Sequence, residues 1–295
     1  MSRFGTHAPS ALLGAFIAGT TFALTSMAQH ATTQRNVAGA PGTPVTTSSI
    51  TLVQQEILSH MSIVQLPDGQ GGMVKTLRIS GVNVQIVNGL GATNGNAADP
   101  NSLNSTITST NGLGNLIVGY NEFGPGMTEV RTGSHNLVTG NQQSYSSFGG
   151  FVAGGGNSVS APFAATSGGR FNAATGNFSA VSGGRFNTAE GAHSSASGGE
   201  LNLAMAARSS VSGGASNIAA GESSSILGGE LNQAGGARAS VTGGSENTAE
   251  GDASCVTGGQ LNGAFGQYSM VSGGSVNVVV GDRHWRGGEC ILCVD

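Results

Sequence analysis

The sequence predicts an all-β protein whose main body is a parallel β-solenoid, or β-roll, of 15-residue coils, preceded by a short helix and a few β-strands. Three observations carry this. Asn157, Asn172, Asn187, Asn202, Asn217, Asn232, Asn247, Asn262 and Asn277 are each fifteen residues apart, and a fixed short period marks a solenoid. Each block reads roughly V-S-G-G-x-x-N-x-A-x-G-x-x-S-S, which has room for two short strands and two tight turns. Glycine supplies 51 of the 295 residues and charged residues only 9%. Such a chain breaks helices and builds thin repeated layers instead of one thick core.

Strand parity assigns the inside. Val181, Val211, Val241, Val256 and Val271, with Ile226, hold one column, and Ala174, Ala189, Ala204, Ala219, Ala234, Ala249 and Ala264 another. With period two, each Asn shares the face of the following Ala, so Val, Ala and Asn are expected inside. A buried amide is costly unless satisfied. Stacked Asn residues satisfy one another as a ladder, with help from the main chain. The glycine pair and the later Gly176, Gly191, Gly221, Gly236, Gly251, Gly266 and Gly281 suit turns of positive φ.

Phe171, Phe186, Leu201, Leu231, Leu261 and Val276 directly precede their Asn residues. Parity sets them on the opposite strand face, where a monomer leaves them wet. A contiguous apolar surface of this kind marks an interface, so a homotrimer of prisms around an axis is expected.

The remaining segments follow in order. Residues 1–28 read as a signal peptide: Arg3 and His7 precede the apolar run Ala11–Leu24, and Ser26-Met27-Ala28 forms a small-x-small cleavage site. Secretion or cell-surface display is the expectation, with no membrane span after cleavage. Residues 29–48, with Pro41 and Pro44, read as a flexible leader. Residues 49–66 read as a short amphipathic helix or neck, with Ile50, Val53, Ile57, His60 and Val64 in 3-4-3-4 spacing behind a Ser48 or Ser49 cap. Residues 67–112 begin with the turn Pro67-Asp68-Gly69. They continue as strands around Leu77–Ile79 and Val82–Ile86 with a bulge at Gly81, and end in loop from Asn88 to Asn111. Residues 113–281 are the roll, with 120–135 looped out, and 282–295 are a polar tail.

Composition excludes some classes. The net charge is −4, and no basic patch or polybasic tract supports nucleic-acid or lipid binding. Cys255, Cys290 and Cys293 leave one thiol over. The closing C-x-x-C reads as a Cys290–Cys293 disulfide in an oxidising compartment; a zinc site needs two more ligands.

The motif "NLIVG" at 115–119 and the iterated S-V-S-G-G…N-T-A-x-G resemble the head repeats of trimeric autotransporter adhesins. The resemblance covers about 113–281. It implies a left-handed parallel β-roll, two short strands per coil, three chains per head and an adhesive role. Those repeats carry N-S-V-A-I-G then A-x-G with a period near fourteen; here the period is fifteen and G-G replaces I-G. The closing GDRHWRGGECILCVD departs from the membrane barrel of that family. The chain is also similar to uncharacterised secreted bacterial proteins with a signal, a short helix, "LPDGQGG" and such repeats.

No catalytic constellation is read from the residues, and no cofactor or metal is expected. Glu200 and Glu230 share a column two coils apart, about 9.6 Å, close to the spacing of an inverting glycosidase. Arg170 and Arg185 stand in the same column, which reads as a charge ladder. Glu190 and Glu250 are four coils apart. His193, Arg208, Arg238, Tyr268 and Arg283 share one turn position and form a candidate edge for acidic glycans, extracellular matrix or another cell-surface ligand. Ser179, Ser194, Ser209 and Ser224 form a short array, the feature of an ice- or surface-binding solenoid. The expected function is a secreted, non-catalytic structural or adhesion protein. A polysaccharide-acting solenoid enzyme and an ice-binding solenoid are the alternatives.

Overall fold

The computed structural model describes residues 50–126 and 129–288. The expected signal peptide, the leader and the Cys290–Cys293 pair lie outside them. The chain divides into two units, at Val82 and Asn83.

In the first unit, α1 spans Leu52–Ser59. Its start is fixed by a capping box at Thr51, not at Ser48 or Ser49. The Thr51 hydroxyl accepts from the Gln54 N–H at 3.3 Å, and the Gln54 amide oxygen accepts from the Thr51 N–H at 2.8 Å. The expected helix over 49–66 is cut short, because β1 (Met61–Pro67) pairs antiparallel with β2 (Met73–Ile79). Of the predicted seam, Val53 and Ile57 lie on α1, while Val64 lies on β1. The β-branched and long apolar residues of 61–67 favour a strand once a partner exists. Asp68 closes the hairpin, its Oδ1 accepting from Gln70 and Gly72 N–H at 2.8 Å each. His60 ties helix to sheet, with Nδ1 at 3.0 Å from the Ser80 carbonyl and Nε2 at 3.3 Å from Glu56. Residues 82–86 form no strand.

The second unit is a parallel β-solenoid of about ten turns. One sheet of twelve short strands runs from Leu116–Val118 to Trp285–Arg286, and a second of ten runs from Ser144–Tyr145 to Val278–Val279. Neighbouring strands pair in the fifteen-residue register, as in Ala180 with Ser195 and Thr188 with Leu203. Regular strands are two residues long in the repeats.

The interior is as parity predicts. Val181, Val211, Ile226, Val241, Val256 and Val271 are 0–1% exposed, and Ala174, Ala189, Ala204, Ala219, Ala234, Ala249 and Ala264 are 0% exposed. Each Val contributes roughly 1.5–3 kcal/mol by leaving water.

Each coil is two unequal half-coils of one design. Phe178 takes φ 58°, Ser179 is buried, Ala180 faces out and Val181 faces in. Then Phe186 takes φ 56°, Asn187 is buried, Thr188 faces out and Ala189 faces in. The corners stand eight and then seven residues apart, which sums to the period. Non-glycine residues therefore hold both left-handed corners, at a cost of about 1–2 kcal/mol each. Corner N–H bonds offset it, such as His193 N–H to the Asn177 carbonyl at 2.8 Å and Phe186 N–H to the Arg170 carbonyl at 3.1 Å.

This corrects the role of the later glycine. Gly184, second of its pair, needs positive φ (83°), but Gly191 does not. Glycine is favoured at 191 because a Cβ would sit 1.9 Å from the Ala206 carbonyl of the next coil, although Ala206 and Ala161 fill the same column. The Phe171, Phe186, Leu201, Leu231, Leu261 and Val276 column is likewise relocated. These residues occupy the left-handed corners (φ 56–60°), not a strand face.

Candidate functional surface

The Asn ladder runs from Asn157 to Asn277, every member at most 1% exposed. Its bonding goes mainly through the backbone, not amide to amide. The Oδ1 of Asn187 accepts from the Asn202 N–H at 2.9 Å. Its Nδ2 donates to the Gly183 carbonyl of its own coil and the Gly199 carbonyl of the next, both at 3.0 Å. The glycine pair thus supplies the acceptors that a buried amide needs. The ladder starts earlier than the period reveals: Asn121 Oδ1 accepts from Gln143 N–H at 2.9 Å, and Gln143 Oε1 from Asn157 N–H at 3.1 Å. Gln143 takes the place of an Asn there, in a coil one residue shorter, with Gln143 and Asn157 fourteen apart.

His193, Arg208, Arg238, Tyr268 and Arg283 do share one exposed corner, with φ between 56° and 59°; Ser223 and Ala253 interrupt it. Arg208 is engaged by Glu222 and by Ser223 Oγ at 3.2 Å. Arg283 lies over the Tyr268 ring at 5.7 Å. The sequence reading missed the upstream members. Phe163 stacks on Phe178 at 5.3 Å, Phe178 stacks on His193 at 5.0 Å, and Phe148 meets Phe163 edge-on at 5.4 Å. Reading the His193 column back in steps of fifteen finds Phe178 and Phe163.

At the other corner, Phe171 stacks on Phe186 at 5.2 Å. Arg170 lies over the Phe171 ring at 4.5 Å and Arg185 over that of Phe186 at 5.2 Å. Phe186, Leu201, Leu231, Leu261 and Val276 remain 41–53% exposed. In the Glu200 column, Arg170, Arg185, Glu200, Ala215 and Glu230 follow one another across successive coils. Arg185 pairs with Glu200, so one of the two acids spaced like a glycosidase pair is engaged by a cation.

The Ser179, Ser194, Ser209 and Ser224 array is buried, each 1% exposed. It occupies in one half-coil the place that Asn holds in the other, so it cannot meet an external lattice. Cys255 is a half-buried free thiol. Among the described residues no group of three or more His, Cys, Asp or Glu could hold a metal ion. No helix among them is long and apolar enough to cross a membrane. Burial raises the pKa of the Tyr145 phenol, and Arg131 opposes this. The chain matches no protein-family model and no curated protein.

Proposed function

We propose that the chain is a secreted or cell-surface structural protein of adhesive type, non-catalytic, working through the repeated surface of its solenoid as a homotrimer. The observation that carries this reading is the apolar corner of Phe186, Leu201, Leu231, Leu261 and Val276, which stays solvent-exposed within one chain. Ser216 and Glu246 interrupt the corner, and the apolar residues on either side of them still form exposed surface of the kind that marks an interface. The first unit adds to it: α1 has no buried residue, and Leu52, Val53, Ile63 and Leu77 are 54–83% exposed. A lone hairpin is marginal in water, and so is so short a helix. Both gain stability when copies cover one another. The ligand would be a glycan or matrix component.

The test is retention of the purified, fluorescently labelled chain on glycan- and matrix-coated surfaces. Saturable retention by at least one coating is expected, reduced by Leu201→Ser/Leu231→Ser. No retention on any coating would overturn the adhesive role.

A further inference from the structure

A groove in the second unit lies between the loop at 103–110 and three successive coils, and has a volume of about 510 Å³, within the range of ligand sites. Its lining holds no Asp, Glu, Lys, Arg or His. Ser146, Ser160 and Thr175 form one column on its coil side, about 4.8 Å apart. Among the described residues none of these three hydroxyls has a hydrogen-bond partner. Beyond the groove the same column carries Glu190, Met205 and Ala220. The run of hydroxyls therefore ends with the groove, although the fold continues unchanged.

The opposite wall is held firmly. Asn94, 1% exposed, donates from Nδ2 to the carbonyls of Asp99 and Ser102 at 2.8 and 3.0 Å. The Ser109 N–H donates to the Asn94 carbonyl at 3.0 Å. Gly95, at φ 73°, lets the two limbs of the loop meet, since a Cβ would sit 2.0 Å from the Ser109 carbonyl. A wall set before binding saves the cost of ordering it. Ser105, Thr108 and Thr110 add hydroxyls from this side, Leu103 and Pro162 add apolar surface, and Phe148 backs the groove from a buried position.

We infer that this groove binds a neutral oligosaccharide. Hydroxyls both donate and accept, so they complement a polyol, and the apolar residues suit the C–H faces of sugar rings. Without a cation in the lining, sulfated or phosphorylated ligands gain no charge-assisted bond. The inference deepens the adhesive reading by naming its ligand class, at a groove beside the Phe148–Phe178 end of the corner that continues as the His193–Arg283 edge.

The test is calorimetric titration of the whole chain with cellotetraose, maltotetraose, chitotetraose and a sulfated heparin tetrasaccharide, with mass by light scattering on the same sample. Saturable binding of a neutral tetrasaccharide is expected, with no binding of the heparin fragment. Ser160→Ala/Thr175→Val should weaken it roughly tenfold with an unchanged melting temperature. Thr175→Trp, which fills the groove from an exposed position, should abolish it. Binding of heparin alone, of no neutral saccharide, or equally by wild type and both variants overturns the inference. A trimer that binds no saccharide removes the groove and keeps the assembly. A monomer that binds removes the assembly and keeps the groove.

Discussion

The backbone N–H of Asn217 donates to the Oδ1 of Asn202, fifteen residues earlier, at 3.1 Å. The same link joins each coil of the ladder to the next, so a side chain, not only strand pairing, fixes the register. Asn217 in turn accepts from Asn232 N–H and donates to the Gly213 and Gly229 carbonyls, all at 3.0 Å. Asn217→Ala leaves the Asn232 N–H and the Gly213 carbonyl unpaired, while the Gly229 carbonyl keeps the Ala215 N–H at 2.9 Å, a loss on the order of 2–3 kcal/mol. Among the described residues the Oδ1 of Asn277 has no partner, so Asn277→Ala should cost less. Denaturant unfolding of the two variants checks the order. Equal losses would mean that strand pairing alone carries the register.

The two kinds of glycine predict different outcomes. At Gly183 a Cβ would meet nothing within 4 Å, whereas at Gly184 it would lie 2.2 Å from the Gly199 carbonyl, at φ 83°. Gly183→Ala should leave the melting temperature within a degree or two. Gly184→Ala combines clash and strain and should lower stability by more than about 3 kcal/mol. Gly191→Ala should fall between them. Ala206 already holds the equivalent place in its coil, where its N–H bond to the Ala219 carbonyl stretches to 3.5 Å against 3.3 Å for Gly191 to Ala204.

The buried serines predict a gain. The hydroxyls of Ser194, Ser224, Ser254 and Ser269 have no partner among the described residues, and Ala239 fills the same column. Ser194→Ala/Ser224→Ala should be neutral or stabilise by up to about 1 kcal/mol, since an unpaired buried hydroxyl is a cost. Thermal melting reads this directly. A large loss would show that these hydroxyls are hydrogen-bonded in solution.

Asp68 predicts a pH response of the first unit. The Gln70 and Gly72 N–H groups hold its pKa below the ordinary aspartate value. The unfolded turn titrates at the ordinary value, so the turn's contribution is fully present above that value. It is lost as pH falls through the lower folded pKa. An NMR titration should show the Gln70 and Gly72 amides shifting together at that lower midpoint. Asp68→Asn should keep the turn, because its amide oxygen still accepts, and remove the titration.

Much of this was legible in the sequence because the period is strict. Spacing located the Asn ladder, and parity located the Val and Ala columns. Parity misled where the backbone leaves the strand. Phe186 and Leu201 look like outward strand residues but sit at left-handed corners. Left-handed φ in Phe, Leu and Arg has no compositional signal, since glycine is the residue that advertises it. The Ser179 column looked like a surface array because Ser is usually exposed; its burial follows only once the coil is divided into eight and seven. The 103–110 wall of the groove was read as loop, and its order comes from Asn side chains bonding main-chain groups, which no periodicity records.

The most direct measurement of the central claim is the solution mass of the purified chain by light scattering, with and without reductant. The account predicts three times the chain mass in both conditions, with the Phe186–Val276 corner buried between copies. A stable monomer would contradict it and leave that corner exposed to water.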